Sequence, residues 1–234
     1  MTSTELPRIS VTVDVVLFTV KDGSLQVLLT RRTKEPCRGQ MALPGGYVHA
    51  QSDADSAQAA ARVLATKVGL VAPYLEQLHT FADAARDPRG WSVSIVYFAL
   101  VPLSMLDSAQ HGTEPTILIP VDALGVLAFD HVRIIQAAAE RLRNRQLYPA
   151  LPLYLAGAEF TLTEAQDIYE AVLETKFEVA NFRRMVLAYR VLKPVEGAAR
   201  AVTAGRYAKV YGILPGANLV ELEKGARLPV SDGR

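Results

Sequence analysis

The loop at residues 86–91 carries side chains well suited to holding a nucleotide. Arg86 and Arg89 supply two guanidinium groups, and Trp91 supplies an indole. Guanidinium groups pair with pyrophosphate, and an indole can stack on a nucleobase. Arg32 is a further candidate because it ends a predicted strand, where binding residues often lie. For the loop alone, a solvated turn in which Trp91 packs against the fold is an equally good interpretation.

A second set of candidate binding residues lies in the C-terminal third, where basic side chains are concentrated. Residues 176–213 contain eight lysines and arginines against two glutamates, whereas the whole chain has a net charge of +1. Asparagine and arginine read adenine and guanine edges in the major groove of DNA. We therefore predict a DNA-binding helix followed by a phosphate-contacting hairpin. The candidate residues are Lys176, Asn181, Arg183, Arg184, Arg206 and Lys209.

The bulk composition limits the class of protein. A chain of 234 residues accommodates one large domain or two small ones. With 50% hydrophobic and 21% charged residues, the composition is that of an ordinary globular protein. The single cysteine, Cys37, excludes an internal disulfide. The N-terminus lacks a signal pattern and no apolar run approaches the roughly 20 residues that cross a bilayer, so we expect a cytoplasmic protein without a membrane partner.

The elements that must position these residues follow from hydrophobic periodicity and turn signals. Residues 9–20 and 25–30 predict two strands joined by a turn at Asp22-Gly23. Residues 52–68 predict a helix that Gly69 ends, and residues 131–146 predict another. Strands are predicted at residues 76–81 and 92–100. The prolines at 149 and 152 interrupt the helical pattern, so we place a domain boundary after residue 155.

The segment from residue 156 to residue 234 predicts a second domain. Thr161 and Glu164 have the spacing of a capping box at the start of a helix that runs through Glu174. Residues 179–191 predict a second helix, and two short apolar stretches around a glycine-containing segment predict a hairpin. The order helix, turn, helix, hairpin is typical of a winged helix-turn-helix.

Residues 1–155 contain a motif that resembles the signature of the Nudix family, whose members hydrolyse nucleoside diphosphates linked to another group. The matching parts are residues 43–48, Arg62, Leu64 and Gly69-Leu70. The three glutamates that hold Mg²⁺ in that family are replaced here by Val63, Thr66 and Lys67, and counting back from Arg62 puts a fourth glutamate position on Ala54. Since Lys67 can attract a diphosphate but cannot activate water, the motif predicts binding without hydrolysis and no metal. Gly45 and Gly46 are therefore counted among the ligand-binding residues, with Lys67.

Across residues 11–213 the sequence resembles NrtR, the Nudix-related transcriptional regulators of NAD metabolism. The specific part is Phe160-Thr161-Leu162 together with residues 181–184. The resemblance implies an α+β chain, with a Nudix α/β/α sandwich followed by a winged helix-turn-helix. It also implies a homodimeric repressor that binds operators of NAD biosynthesis or salvage genes. The effector would be ADP-ribose or a related NAD-derived nucleotide, and no cofactor is expected.

Two other functions compete with this interpretation. One is an active hydrolase of ADP-ribose or a nucleotide sugar with an appended helical domain, which the missing glutamates disfavour. The other is an adaptor whose winged helix binds protein, which the local positive charge disfavours. For the basic helix taken alone, a solvated face that only supports the fold remains open.

Overall fold

A long N-terminal hairpin organises the first part of the chain in the computed structural model, which describes residues 9–109, 112–144, 149–203 and 206–220. Strand β1 is Ser10–Lys21 and strand β2 is Ser24–Arg31. Asp22 and Gly23 join them with φ angles of 51° and 72°, the positive values that a tight hairpin turn requires. The predicted strands and turn are confirmed.

The hairpin is part of a mixed seven-stranded sheet. Its other strands are β3 (Met41–Ala42), β4 (Gly45–Tyr47), β5 (Tyr74–Asp83), β6 (Ser92–Leu100) and β7 (Thr116–Pro120). The main path has the order β3-β2-β1-β6-β5, with β4 paired to β1 and β7 paired to β2. β1 and β6 run parallel, and β4 is antiparallel to β1.

The helices of this part differ in their ends from the sequence prediction. Helix α1 is Ser56–Val63, because Asp55 caps it by accepting a hydrogen bond from the Gln58 N–H. A π-helical turn at Leu64–Val68 follows and ends at Gly69 in the left-handed conformation. The predicted start at residue 52 is therefore wrong by four residues. Two further helices are α2 (Leu103–Asp107) and α3 (His131–Arg143). Of the predicted extension of α3, Asn144 is not helical, and residues 145 and 146 lie outside the described ranges.

Burial along β1 explains why this sheet lies inside the fold. Its residues are buried without interruption from Val13 to Thr19, so side chains on both faces of the strand are covered. On one face Val13, Val15 and Leu17 form a core cluster with residues of α1 and β6. Covering on both faces is the arrangement of the predicted α/β/α sandwich.

The C-terminal part has its own small sheet and core. Its elements are a 3-10 turn (Leu151–Leu155), β8 (Phe160–Thr161), α4 (Leu162–Leu173), α5 (Val179–Ala188), β9 (Leu192–Thr203) and β10 (Arg206–Ile213). The strand order is β8-β10-β9. Thr161 and Glu164 form both hydrogen bonds of the predicted capping box. Phe160, Tyr169 and Phe182 lie in the core of this part, and the winged-helix prediction is confirmed.

The chain divides into two compact units. The first contains residues up to Thr19, Gln26–Val101 and Met105–Ala139; the second contains Val20–Leu25, Pro102–Ser104 and the residues from Glu140 onward. The boundary after residue 155 stays a prediction. In the described ranges, none of the helices has the length and apolar character needed to span a membrane.

Candidate functional sites

The first unit contains an open cavity of about 380 Å³, bordered by β1, β4 and the π-helical turn after α1. The structure brings six of the seven predicted ligand-binding residues together around it. These are Arg32, Gly45, Gly46, Lys67, Arg86 and Arg89.

Trp91 is the predicted residue that lies apart from the cavity lining, with 49% of its surface exposed. Side chains alternate between the two faces of a strand. Ser92 accepts a hydrogen bond from Arg86 and Ser94 donates one to Asp14, so the even-numbered residues at this end of β6 face the cavity. Trp91 precedes β6 and is not among the residues that line the cavity.

Gly45 is required by the closeness of two strands. In the antiparallel pairing of β1 and β4 it lies opposite Asp14. A Cβ atom at residue 45 would collide with the Asp14 carboxylate, and no side chain is small enough to avoid this. The glycine thus lets the cavity wall approach the buried carboxylate of β1.

Lys67 occupies the position where Nudix enzymes carry a metal-binding glutamate. Its ammonium group lies 2.8 Å from the Glu114 carboxylate, and both residues line the cavity. The backbone N–H of Thr113 donates to the Thr66 carbonyl at 3.0 Å, which fixes the Glu114 segment against the π-helical turn. The cation predicted from the sequence is present, and it is already paired with a carboxylate of the protein.

Asp53, next to the Ala54 position given by the motif spacing, is the carboxylate that holds Arg62. It takes two hydrogen bonds from the Arg62 guanidinium, at 2.7 and 2.8 Å, and one from the His49 N–H. These bonds, those from Arg62 first, hold the pKa of Asp53 at about 2. Ala54 has no carboxylate, and Asp53, the residue before it, is the one that pairs with Arg62.

Arg86 is buried and belongs to a polar network behind the cavity. Its guanidinium lies 3.0 Å from Asp130 and 3.8 Å from Asp14. His131 accepts a hydrogen bond from the Leu43 N–H at 2.9 Å, and burial lowers the pKa of His131, so its imidazole is neutral. Arg86 therefore holds these residues together, and its charge is balanced by the carboxylates of Asp14 and Asp130.

Arg89 is more exposed than Arg86 and lies closer to its carboxylate partner, Asp87. It contacts both oxygens of Asp87, the shorter distance being 2.6 Å, and donates to the Tyr47 hydroxyl at 2.9 Å. Hydrogen bonding between the two lowers the pKa of Asp87 and raises that of Arg89. The aspartate at residue 87 thus shapes the loop and orients the guanidinium toward the cavity.

Arg32 is held in a different way. It donates from Nε to the Pro36 carbonyl at 2.8 Å and from Nη2 to the Lys34 carbonyl at 3.4 Å. Its guanidinium carbon lies 4.6 Å from the ring centre of Phe129, another residue of the cavity lining. Backbone carbonyls and an aromatic ring, rather than a carboxylate, hold this cation in place.

The predicted recognition helix α5 presents its polar residues outward. Phe182, Met185 and Val186 are buried, whereas Asn181, Arg183 and Arg184 are exposed. Glu178 caps the helix by accepting from the N–H groups of residues 180 and 181. Arg184 donates to the Asn181 side chain at 2.7 Å, so these two side chains form one exposed polar surface.

Two of the basic residues counted from the sequence are neutralised by acids outside the counted window. Lys176 lies 2.5 Å from Glu170, and Arg200 lies 2.5 Å from Glu164. Lys209 is exposed on β10, with its ammonium group 5.9 Å from the Tyr211 ring centre. The side chain of Arg206 lies outside the described residues. Within the described ranges, Arg183 and Arg184 are the basic residues of α5, and neither forms an ion pair there.

Together the fold and these sites define a Nudix-type ligand-binding domain joined to a winged-helix DNA-binding domain. Family models agree: the NUDIX domain matches residues 9–151, and the NrtR DNA-binding winged helix domain matches residues 152–213. The chain belongs to the NrtR family of Nudix-related transcriptional regulators.

Similar proteins include a curated regulator and solved structures. The "ADPR responsive transcriptional repressor NtrR" of Acinetobacter baylyi is 40% identical over 82% of this chain and 78% of that protein. Shewanella oneidensis NrtR complexed with a 27mer DNA is 36% identical, with a TM-score of 0.78 over 88% of this chain and 94% of that one. The NUDIX domain of the same Shewanella protein, complexed with ADP ribose, is 38% identical, with a TM-score of 0.52 over 58% and 90%.

Proposed function

We propose that this protein is a repressor that binds operator DNA through α5 and the β9–β10 hairpin and binds ADP-ribose in the Nudix cavity without hydrolysing it. The observation that carries the proposal is the ion pair between Lys67 and Glu114 at the position of the family's metal-binding glutamates. A fixed ammonium group cannot lower the pKa of a bound water, as a metal does, but it pairs with phosphate oxygens. The site keeps the charge for binding and lacks the chemistry for hydrolysis.

The choice of ligand rests on the relatives, and the choice of target genes rests on the resemblance to the NrtR family. The Shewanella domain was crystallised with ADP ribose, and the Acinetobacter repressor is called ADPR responsive. We therefore assign ADP-ribose, or a closely related NAD-derived nucleotide, to the cavity. We assign operators of NAD biosynthesis or salvage genes to the winged helix. The cavity volume of about 380 Å³ lies within the range of small-molecule sites.

A homodimer is part of the proposal because of the size of the recognition element. Helix α5 has ten residues and presents Asn181, Arg183 and Arg184 outward. One such helix reads only a few base pairs, and two half-sites roughly multiply the specificity. A two-fold protein on a palindromic operator meets this requirement.

The non-enzymatic part of the proposal is tested by measuring AMP release. We expect none from ADP-ribose with Mg²⁺ or Mn²⁺, while calorimetry detects ADP-ribose binding in the presence of a metal chelator. Lys67→Gln should weaken that binding by about 1–2 kcal/mol, because a charged hydrogen bond to the ligand is lost. The loss is limited because, in the wild type, the ligand competes with Glu114 for the Lys67 ammonium group. Turnover at about 1 s⁻¹ or faster would show an enzyme instead. The matched control is Lys21→Gln, the same change at an exposed residue of β1 that is not part of the cavity lining.

A further inference from the structure

A planar surface for a nucleobase has to come from residues other than Trp91, which lies outside the cavity lining. The cavity lining includes the rings of Tyr47, Phe129 and His131 and the flat guanidinium of Arg32. His131 is almost fully buried, and its ring accepts a hydrogen bond from the Leu43 N–H. The Tyr47 hydroxyl accepts a hydrogen bond from Arg89. Arg32 and Phe129 are the pair that stack on one another at 4.6 Å.

Phe129 has an unusual backbone conformation that its neighbours enforce. Its φ angle is 55°, in the left-handed region that bulky side chains rarely adopt. Both flanking residues are fastened: the Ala128 N–H donates to the Met41 carbonyl at 2.9 Å, and Asp130 accepts from Arg86 at 3.0 Å. Strained residues held in this way cluster at ligand sites. Here the strain places the ring beneath Arg32.

The hydrogen bonds of Arg32 decide which part of the guanidinium a ligand can meet. A bidentate contact to phosphate through the Nε–Nη2 edge is blocked, because both of these atoms donate to backbone carbonyls. The Phe129 ring covers one face. What Arg32 can offer to the cavity is its second face and its Nη1 end. A guanidinium face stacks well on a nucleobase.

From this geometry we infer that Arg32, backed by Phe129, is the stacking platform for the base of the bound nucleotide. The diphosphate is then bound at the other cations of the cavity, Lys67 among them. This assignment rests on the proposed function, because it presupposes a nucleotide ligand. It gives Arg32 a role in recognising the base instead of neutralising phosphate charge.

Calorimetry with two ligands tests the assignment on the full-length protein. The ligands are ADP-ribose, which carries a base, and inorganic pyrophosphate, which does not. Arg32→Lys keeps the charge and removes the planar face, and Phe129→Leu removes the backing ring. We expect each variant to lose about 5- to 150-fold in affinity for ADP-ribose, the range for loss of a base stack, and to bind pyrophosphate as the wild type does.

The matched control is Arg31→Lys, the same change one residue earlier, at an exposed arginine that donates to the Gly39 carbonyl and is not part of the cavity lining. It should bind both ligands as the wild type does. Thermal unfolding shows whether Phe129→Leu folds. If it does not, Arg32→Lys alone carries the test. An equal loss for both ligands in Arg32→Lys would make Arg32 a phosphate ligand and overturn the inference. A loss of ADP-ribose binding in Trp91→Leu alone would also overturn it. If the wild type binds no ADP-ribose, the proposed function itself fails.

Discussion

Most cations around the cavity carry their own counter-ion. The lining includes six lysines and arginines and four acids, and Asp53 and Asp130 lie directly behind it as partners of Arg62 and Arg86. Like charges crowded into one pocket would repel one another, and these carboxylates remove that cost. Under the proposed function, a diphosphate would replace carboxylates such as Glu114 as the partner of these cations.

At the DNA surface, the bond between Arg184 and Asn181 makes a specific prediction. Arg184→Ala and Asn181→Ala should each weaken operator binding by roughly 1–3 kcal/mol if they contact bases. The double variant should lose less than the sum, because each side chain orients the other across the 2.7 Å hydrogen bond. Fluorescence anisotropy with labelled operator measures all three.

The control for this experiment is Arg133→Ala, the same substitution at an exposed arginine of the first unit. It should leave operator affinity almost unchanged, and none of the variants should alter ADP-ribose binding. Wild-type operator affinity in Arg184→Ala would show that α5 is not the recognition helix.

Residue identities were partly predictable from the sequence. Lys67 and Arg89 line the cavity, and both can be picked out because charge type and motif spacing are read directly from the sequence, while their role in binding stays a prediction. Asp53, which pairs with Arg62, lies one residue before the position given by the motif spacing, so the spacing alone does not identify it. Phe129 and Asp130 gave no signal, since their roles depend on a backbone conformation and on contacts with Arg32 and Arg86, far away in the chain.

Among the elements, the turn between α4 and α5 depends on one half-buried carboxylate. Glu170 accepts hydrogen bonds from the Gln166 side chain, from Lys176 and from the Phe177 N–H. These bonds, that from Gln166 first, lower the pKa of Glu170 from 4.5 to about 2. The charged glutamate fastens the end of the turn to α4 and so sets where α5 begins.

This network predicts a pH dependence of folding stability. A carboxylate whose pKa is lowered in the folded state stabilises the fold fully above its unfolded value, and this contribution is lost as the pH falls. For Glu170 the window runs from about pH 4.5 to about pH 2. Glu170→Gln should lower the free energy of unfolding by roughly 1–2 kcal/mol at neutral pH, through loss of charged hydrogen bonds. It should also flatten the decline in stability within that window.

Urea denaturation at several pH values measures both effects. Glu196→Gln, which makes the same change at an exposed acid of β9, is the control and should keep the wild-type profile. An unchanged slope in Glu170→Gln would mean that the turn does not depend on the charge of Glu170.

Sequence patterns predicted the existence of the elements better than their ends. The capping box at Thr161 and the turn at Asp22-Gly23 were correct because both depend on residues next to one another. Helix α5 stops at Ala188, three residues before the predicted end, and the φ angle of 55° at Arg190 shows that the helix cannot continue. No periodicity signal marks such an end.

For the whole molecule, helix α3 is one of the elements that pass from the first unit into the second along the chain. It begins at His131, which lines the cavity and holds Leu43, and ends at Arg143, which donates to the Val172 carbonyl and pairs with Glu174 at the end of α4. Along the chain, α3 thus starts among cavity residues and ends among residues of the second unit. We propose that ADP-ribose and operator antagonise one another, with α3 as one of the covalent connections between the two units.

The most direct test of this account is to titrate ADP-ribose into the full-length protein with and without saturating operator DNA. Coupling between two sites is reciprocal, so operator must weaken ADP-ribose binding by the factor by which ADP-ribose weakens operator binding. We predict a decrease in ADP-ribose affinity of about 5- to 150-fold when operator is bound, the range of typical coupling energies. Equal ADP-ribose affinities in the two titrations would contradict the account, whatever the contacts to DNA prove to be.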